Sequence, residues 1–119
     1  MADETTLNIA IEDRASVKLL TLAGELGHDG AGELVETVTG LLIGPRAKLV
    51  LDMNAVPYMN SEGLNALVRV AAQANIQEGR IVLASLSPFI SGVLQVTKLD
   101  RFFEVFPTVA AALTQLAAG

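Results

Sequence analysis

The chain contains no cysteine. Disulfides, thiolate metal sites and a cysteine nucleophile are thereby excluded. Its one histidine is His28, so an imidazole pair and the common histidine-rich zinc sites are absent, and no metal site is expected. Lysine and arginine total 8 against 13 aspartates and glutamates, a formal net charge of −5, and no basic run occurs. Nucleic acid and anionic membrane surfaces are bound through clustered cations, so neither is an expected partner. No uninterrupted apolar run approaches the ~18 residues that span a bilayer, and no membrane insertion is expected. The opening Met1-Ala2-Asp3-Glu4-Thr5-Thr6 is acidic and polar. That is the reverse of the basic and then apolar start of a secretion signal, and the expected location is the cytoplasm.

What is present is apolar. Of the 119 residues, 51% are hydrophobic and 18% charged, which argues for a folded chain and against disorder. The length suits one domain over 1–119 with a core of its own. So little charge leaves apolar surface to be covered by a partner.

Leu7, Ile9 and Ile11 alternate with polar or small residues, predicting a strand with one buried face. Val17 to Ala23 is a second strand-length run, and Asp13 to Ser16 joins the two as a hairpin. Gly24 to Gly32 reads as a glycine-rich loop. Leu34, Val38, Leu41 and Leu42 then recur at helical spacing until Gly44-Pro45. Lys48 to Asp52 reads as a buried strand ending in an acid, and Asn54 to Asn60 as a loop. From Ser61 a long helical pattern points Leu64, Leu67, Val68 and Ala71 inward, with Gly79 at its end. Arg80 to Ala84 is the next strand. Pro88 opens a further helix, with Phe89, Val93 and Val96 on one stripe and Ile90 and Leu94 beside it. Phe103-Glu104-Val105 reads as a last short strand, and Val109, Leu113 and Leu116 as a C-terminal helix. Strands alternating with helices after an opening hairpin predict an α/β layer on a mixed sheet.

The chemistry-bearing groups are few. His28 reads as a solvated loop histidine. The glycines Gly24, Gly27, Gly30 and Gly32 fit neither phosphate-binding pattern: no Gly-Lys-Ser/Thr follows, and G-x-G-x-x-G is absent. Asp52 has no acid/base partner, and it reads as a backbone acceptor in the turn after it. No cofactor and no catalytic group is expected. The segment Tyr58-Met59-Asn60-Ser61-Glu62-Gly63-Leu64 is the most informative. Asn60 or Ser61 can cap the helix, and Glu62 suits the positive end of its dipole. A phosphate on a serine in that first turn adds about −1.5 to −2 charge, enough to block a docked partner without refolding. Capping and switching both remain open on these residues alone.

In order along the chain stand Gly24-Glu25-Leu26-Gly27, Leu49-Val50-Leu51-Asp52, Tyr58-Met59, Asn60-Ser61-Glu62-Gly63-Leu64 and Leu99 to Phe106, then the small-residue stretch Ala110 to Leu113. This series resembles STAS domains of anti-sigma-factor antagonists nearly end to end. The resemblance implies the STAS fold, a mixed sheet of four to five strands with about four α-helices mainly on one face. It implies a partner switch: the unphosphorylated domain binds an anti-sigma factor serine kinase, which phosphorylates the motif serine, and a phosphatase reverses this. Ser61 occupies that serine's position. Tyr58, Met59, Asn60, Glu62, Gly63, Glu25 and His28 are the expected partner contacts, and a homodimer stays open. Three residues depart from the pattern: Asn60 for Asp, Glu62 for Ser or Thr, and Gly27 for Asp. Asn60 and Glu62 motivate the alternative of a non-phosphorylated adaptor or scaffold in a signalling or transport assembly.

Overall fold

The computed structural model describes residues 7–43 and 46–118. Five strands form one sheet in the order β1-β2-β3-β4-β5. They are β1 (Asn8–Arg14), β2 (Val17–Ala23), β3 (Lys48–Ala55), β4 (Arg80–Ala84) and β5 (Glu104–Phe106). The hairpin pair β1 and β2 is antiparallel, and every later pairing is parallel. The helices are α1 (His28–Leu41), α2 (Ser61–Ile76), α3 (Pro88–Val96) and α4 (Val109–Ala118), with a single 3-10 turn at Leu99–Arg101.

Each parallel crossover moves one strand further in the same direction. Such crossovers are right-handed, so α1, α2 and α3 fall on the same face. Alternation along the strands then divides the interior in two. Leu20, Leu22, Leu49, Leu51, Met53 and Leu83 face the three helices and meet Leu34, Leu67 and Ile90. Their neighbours Val17, Leu19, Val50 and Val82 face the other way, against Ala112 and Leu116 of α4. Strands buried on both faces read as continuous apolar runs, which is why β2 to β4 carry so little charge.

Several boundaries depart from the sequence reading. The loop expected over Gly24–Gly32 stops at Gly27, because the helix starts at His28 and takes in Gly30 and Gly32. β3 continues to Ala55, so Asp52 lies within it; its Oδ1 accepts a hydrogen bond from the backbone N–H of Asn54 at 3.1 Å, a structural role. β5 is shifted by one residue to Glu104–Phe106. No residue of β1 is fully buried: Leu7, just before it, is in the core, Ile9 packs half-buried against that core, and Ile11 is half-exposed on the edge strand. On α3 the core takes Ile90 and Leu94, leaving the Phe89–Val96 stripe outside. The expected Gly44-Pro45 stop lies outside the described residues. No helix among the described residues is long and apolar enough to cross a membrane.

Candidate functional site

Two loops run side by side at the end of the sheet where the parallel strands finish. Leu26 and Met59 form an isolated parallel bridge. The Leu26 N–H donates to the Tyr58 carbonyl at 3.2 Å, and the Asn60 N–H to the Leu26 carbonyl at 3.3 Å. This short ladder obeys strand alternation. Met59 points inward and is 3% exposed, whereas Tyr58 before it is 45% exposed. Both chains turn into helices two residues beyond the bridge, at His28 and at Ser61.

Asn60 is the N-cap of α2. Its backbone is extended and its Oδ1 accepts from the Gly63 N–H at 3.0 Å. Ser61 is therefore not the cap; it is the first helical residue, and it is exposed. Gly63 is buried because the helix turn rests on the bridged loop. A Cβ there would overlap the Leu26 carbonyl oxygen and lie 2.9 Å from the Leu26 Cγ. The first turn of α1 is seated in the same way: a Cβ on Gly30 would come within 2.8 Å of the Glu25 carbonyl oxygen. Backbone-to-backbone seating of both helix starts sets where Ser61 stands relative to the bridged loops.

Glu62 turns across to α1, where its Oε2 lies 2.9 Å from the Nδ1 of His28. The imidazole's pKa is raised, first by this hydrogen bond, then by the Glu62 charge and by Asp29. The pair closes one end of an open groove of about 630 Å³ between α1 and α2, floored by Ala31, Val35 and Ala66 with Arg69 further along. In the loop before α2 the Tyr58 ring packs on Phe89, centroids 5.3 Å apart at 36°. Ser87, the N-cap of α3, donates from its hydroxyl to the Pro57 carbonyl at 3.4 Å, holding the two segments together. From Phe89 an apolar stripe continues through Val93 to Val96, which is 82% exposed.

Of the residues singled out from the sequence, Tyr58, Ser61, Glu62, Glu25 and His28 are exposed at this end, and Asn60 is half-buried beneath them. Two are corrected. Met59 belongs to the core, because the bridge turns it inward. Gly63 is buried under the Leu26 carbonyl and offers no surface. Phe89 was missed as a neighbour of Tyr58; its only signal was an apolar side chain one residue after a helix-opening proline. No cluster of three or more histidines, acids or cysteines suited to a metal occurs among the described residues.

The STAS domain family model matches residues 8–112. An anti-sigma-F factor antagonist of Mycobacterium tuberculosis is 24% identical over 119 residues, covering all of this chain and 97% of its own. The crystal structure of an anti-sigma factor antagonist from Mycobacterium paratuberculosis superposes with a TM-score of 0.83 at 24% identity, over 98% of this chain and 99% of that one. The phosphorylated form of the Bacillus cell fate determinant SpoIIAA superposes with a TM-score of 0.70 at 17% identity, over 92% and 99% of the two chains.

Proposed function

The chain belongs to the STAS domain family, and from that premise we propose that it is an anti-sigma-factor antagonist whose docking to a protein kinase is governed by phosphorylation of Ser61. The observation that carries this reading is the exposed hydroxyl of Ser61 at the first position of α2. A rigid loop pair lies beneath it and an exposed tyrosine stands beside it. The mycobacterial relative, matched over 97% of its length, is named an anti-sigma-F factor antagonist, and a fold relative exists in a phosphorylated form.

The chemistry is that of a surface which changes charge without changing shape. The partner kinase transfers the γ-phosphoryl group of its own ATP to the Ser61 oxygen, with loss of the hydroxyl proton and release of ADP. A phosphatase hydrolyses the ester and restores the hydroxyl. Unmodified, the surface around Ser61 offers Tyr58 and the Phe89 stripe as apolar anchors. Aromatic residues are enriched at interface centres. Modified, the same spot holds a dianion that a docked partner would have to desolvate. The departures from the family pattern fit this geometry. Asn60 keeps the cap that an aspartate would supply, and Glu62 is engaged by His28 of α1.

The test is mass measurement of the protein isolated from its own host, followed by binding to the serine kinase of that host. Phosphate should be found on Ser61. Ser61→Ala should bind the kinase as the parent does, and Ser61→Asp at least about tenfold more weakly, a loss of about 1.4 kcal/mol. Equal binding by both variants would remove the switch. Absence of phosphate in every growth condition, with binding retained, would leave the adaptor reading in its place.

A further inference from the structure

The Leu26–Met59 bridge sets a parallel register that continues into both helices. One residue on, Gly27 faces Asn60: a Cβ on Gly27 would lie 3.5 Å from the Asn60 Nδ2. Two residues on, the register brings together His28 and Ser61, the first residues of α1 and α2. Parallel strands run about 4.8 Å apart and packed helices about 8–10 Å apart, so these two positions lie between those limits. An imidazole and a phosphoserine extending from such positions can meet.

Charge at this spot is otherwise negative. Around His28 stand Glu62 from α2, Asp29 on α1 itself and Glu25 from the preceding loop, and Glu36 lies further along the groove. Arg69 lines the same groove, but it is eight residues along α2 from Ser61, about 12 Å at the helical rise. Among the described residues lining this groove, His28 is thus the nearest group to Ser61 that can carry positive charge. It is already turned toward α2, with its Nδ1 on Glu62, the residue next to Ser61. A phosphate oxygen carries more charge than a carboxylate oxygen and accepts more strongly from a cationic donor.

We propose that His28 is the counter-ion of a phosphate carried by Ser61, exchanging Glu62 for the phosphoryl oxygens once the serine is modified; this rests on the reading of Ser61 as the modified residue. The exchange accounts for an acid at position 62. Glu62 holds the imidazole at the helix start while the serine is free, and being half-exposed it swings into water when displaced.

The experiment installs phosphoserine at position 61 during translation, so it needs no kinase and is independent of whether any kinase modifies Ser61. With a single histidine in the chain, the imidazole resonances of tag-free protein report His28 alone. Their pH titration is recorded with and without the phosphate, each in the parent and in Glu62→Gln. Phosphorus resonances follow the ester in the parent and in His28→Gln. The expected results are a higher imidazole pKa with phosphate, and a fall on Glu62→Gln only in the unmodified protein. The second pKa of the phosphate should rise in His28→Gln. The proposal is overturned if the imidazole titrates alike with and without phosphate, if Glu62→Gln lowers it equally in both, or if His28→Gln leaves the phosphate unmoved. Matching backbone amide spectra away from the two loops establish that all variants are folded.

Discussion

Replacing Gly63 by alanine opposes two effects of known size. In a free helix the change is favourable by about 1 kcal/mol, since alanine loses less backbone entropy than glycine. Here the new Cβ would overlap the Leu26 carbonyl oxygen, 3.0 Å from the carbonyl carbon and 2.9 Å from the Cγ. Carbon–oxygen contacts settle at about 3.3–3.6 Å, so α2 and the loop must part by roughly one and a half ångströms. Leu26 is fully buried and cannot yield sideways. Overpacking of this kind costs about 1–3 kcal/mol. Parting also breaks the two loop hydrogen bonds at 3.2 and 3.3 Å, at about 0.5–1.5 kcal/mol each. The net expectation is a loss of about 1–5 kcal/mol. With a urea dependence of about 1.5 kcal/mol per molar, the unfolding midpoint falls by about 0.7–3.3 M. Gly32→Ala is the internal control: it sits inside α1 with nothing within 4 Å of its Cβ, and should gain about 0.5–1 kcal/mol. If Gly63→Ala unfolds at the same urea concentration as the parent or later, while Gly32→Ala is stabilised, the seating of α2 on the loop is refuted.

Asn60→Ala removes the cap on the Gly63 N–H and should cost about 1 kcal/mol in the same assay. Gly27→Ser, at an N-cap position where glycine supplies no capping side chain and the surroundings admit a Cβ, should gain a few tenths of a kcal/mol, seen as a small rise in Tm. Because the folded pKa of His28 is raised, its pairing stabilises the fold fully only below the ordinary imidazole value near 6.5. That contribution is lost as pH rises through the folded pKa. The pH profile of stability should lose this step in Glu62→Gln. Glu104 is held below the usual carboxylate range first by hydrogen bonds from Arg80, at 2.7 and 2.8 Å. Its contribution is present at neutral pH and disappears in acid as pH falls through its folded pKa. Glu104→Gln should cost under about 1 kcal/mol at pH 7, the pair being half-exposed and screened.

Where one-dimensional pattern and burial coincide, the sequence was legible. Val17 to Ala23 is a strand because both its faces are covered, and α2 begins at Ser61 because an asparagine cap precedes an amphipathic run. Periodicity fails where it offers two equal answers. α3 is apolar on adjacent stripes, and only packing decides that Ile90 and Leu94 go in while Phe89 and Val96 stay out. The alternation of β1 tells which side Ile11 faces but not that it stays half-exposed there. Met59 read as a loop methionine because the bridge that inverts it comes from Leu26, far away in sequence. His28 and Glu62 are separated by 34 positions, and no local signal links them. Glycines looked like loop and turned out to be helix, since Gly30 serves close approach to the Glu25 carbonyl.

The unbroken strand order has a consequence for what this end of the molecule can receive. In doubly wound sheets a crevice opens where the order reverses and neighbouring connections leave toward opposite faces; small molecules lodge there. Here β2 to β5 are laid down in sequence with no reversal, so no such cleft is built into the topology. What the strand ends carry instead is a pair of loops bridged at Leu26 and Met59, from which α1 and α2 both start and on which Ser61 stands exposed.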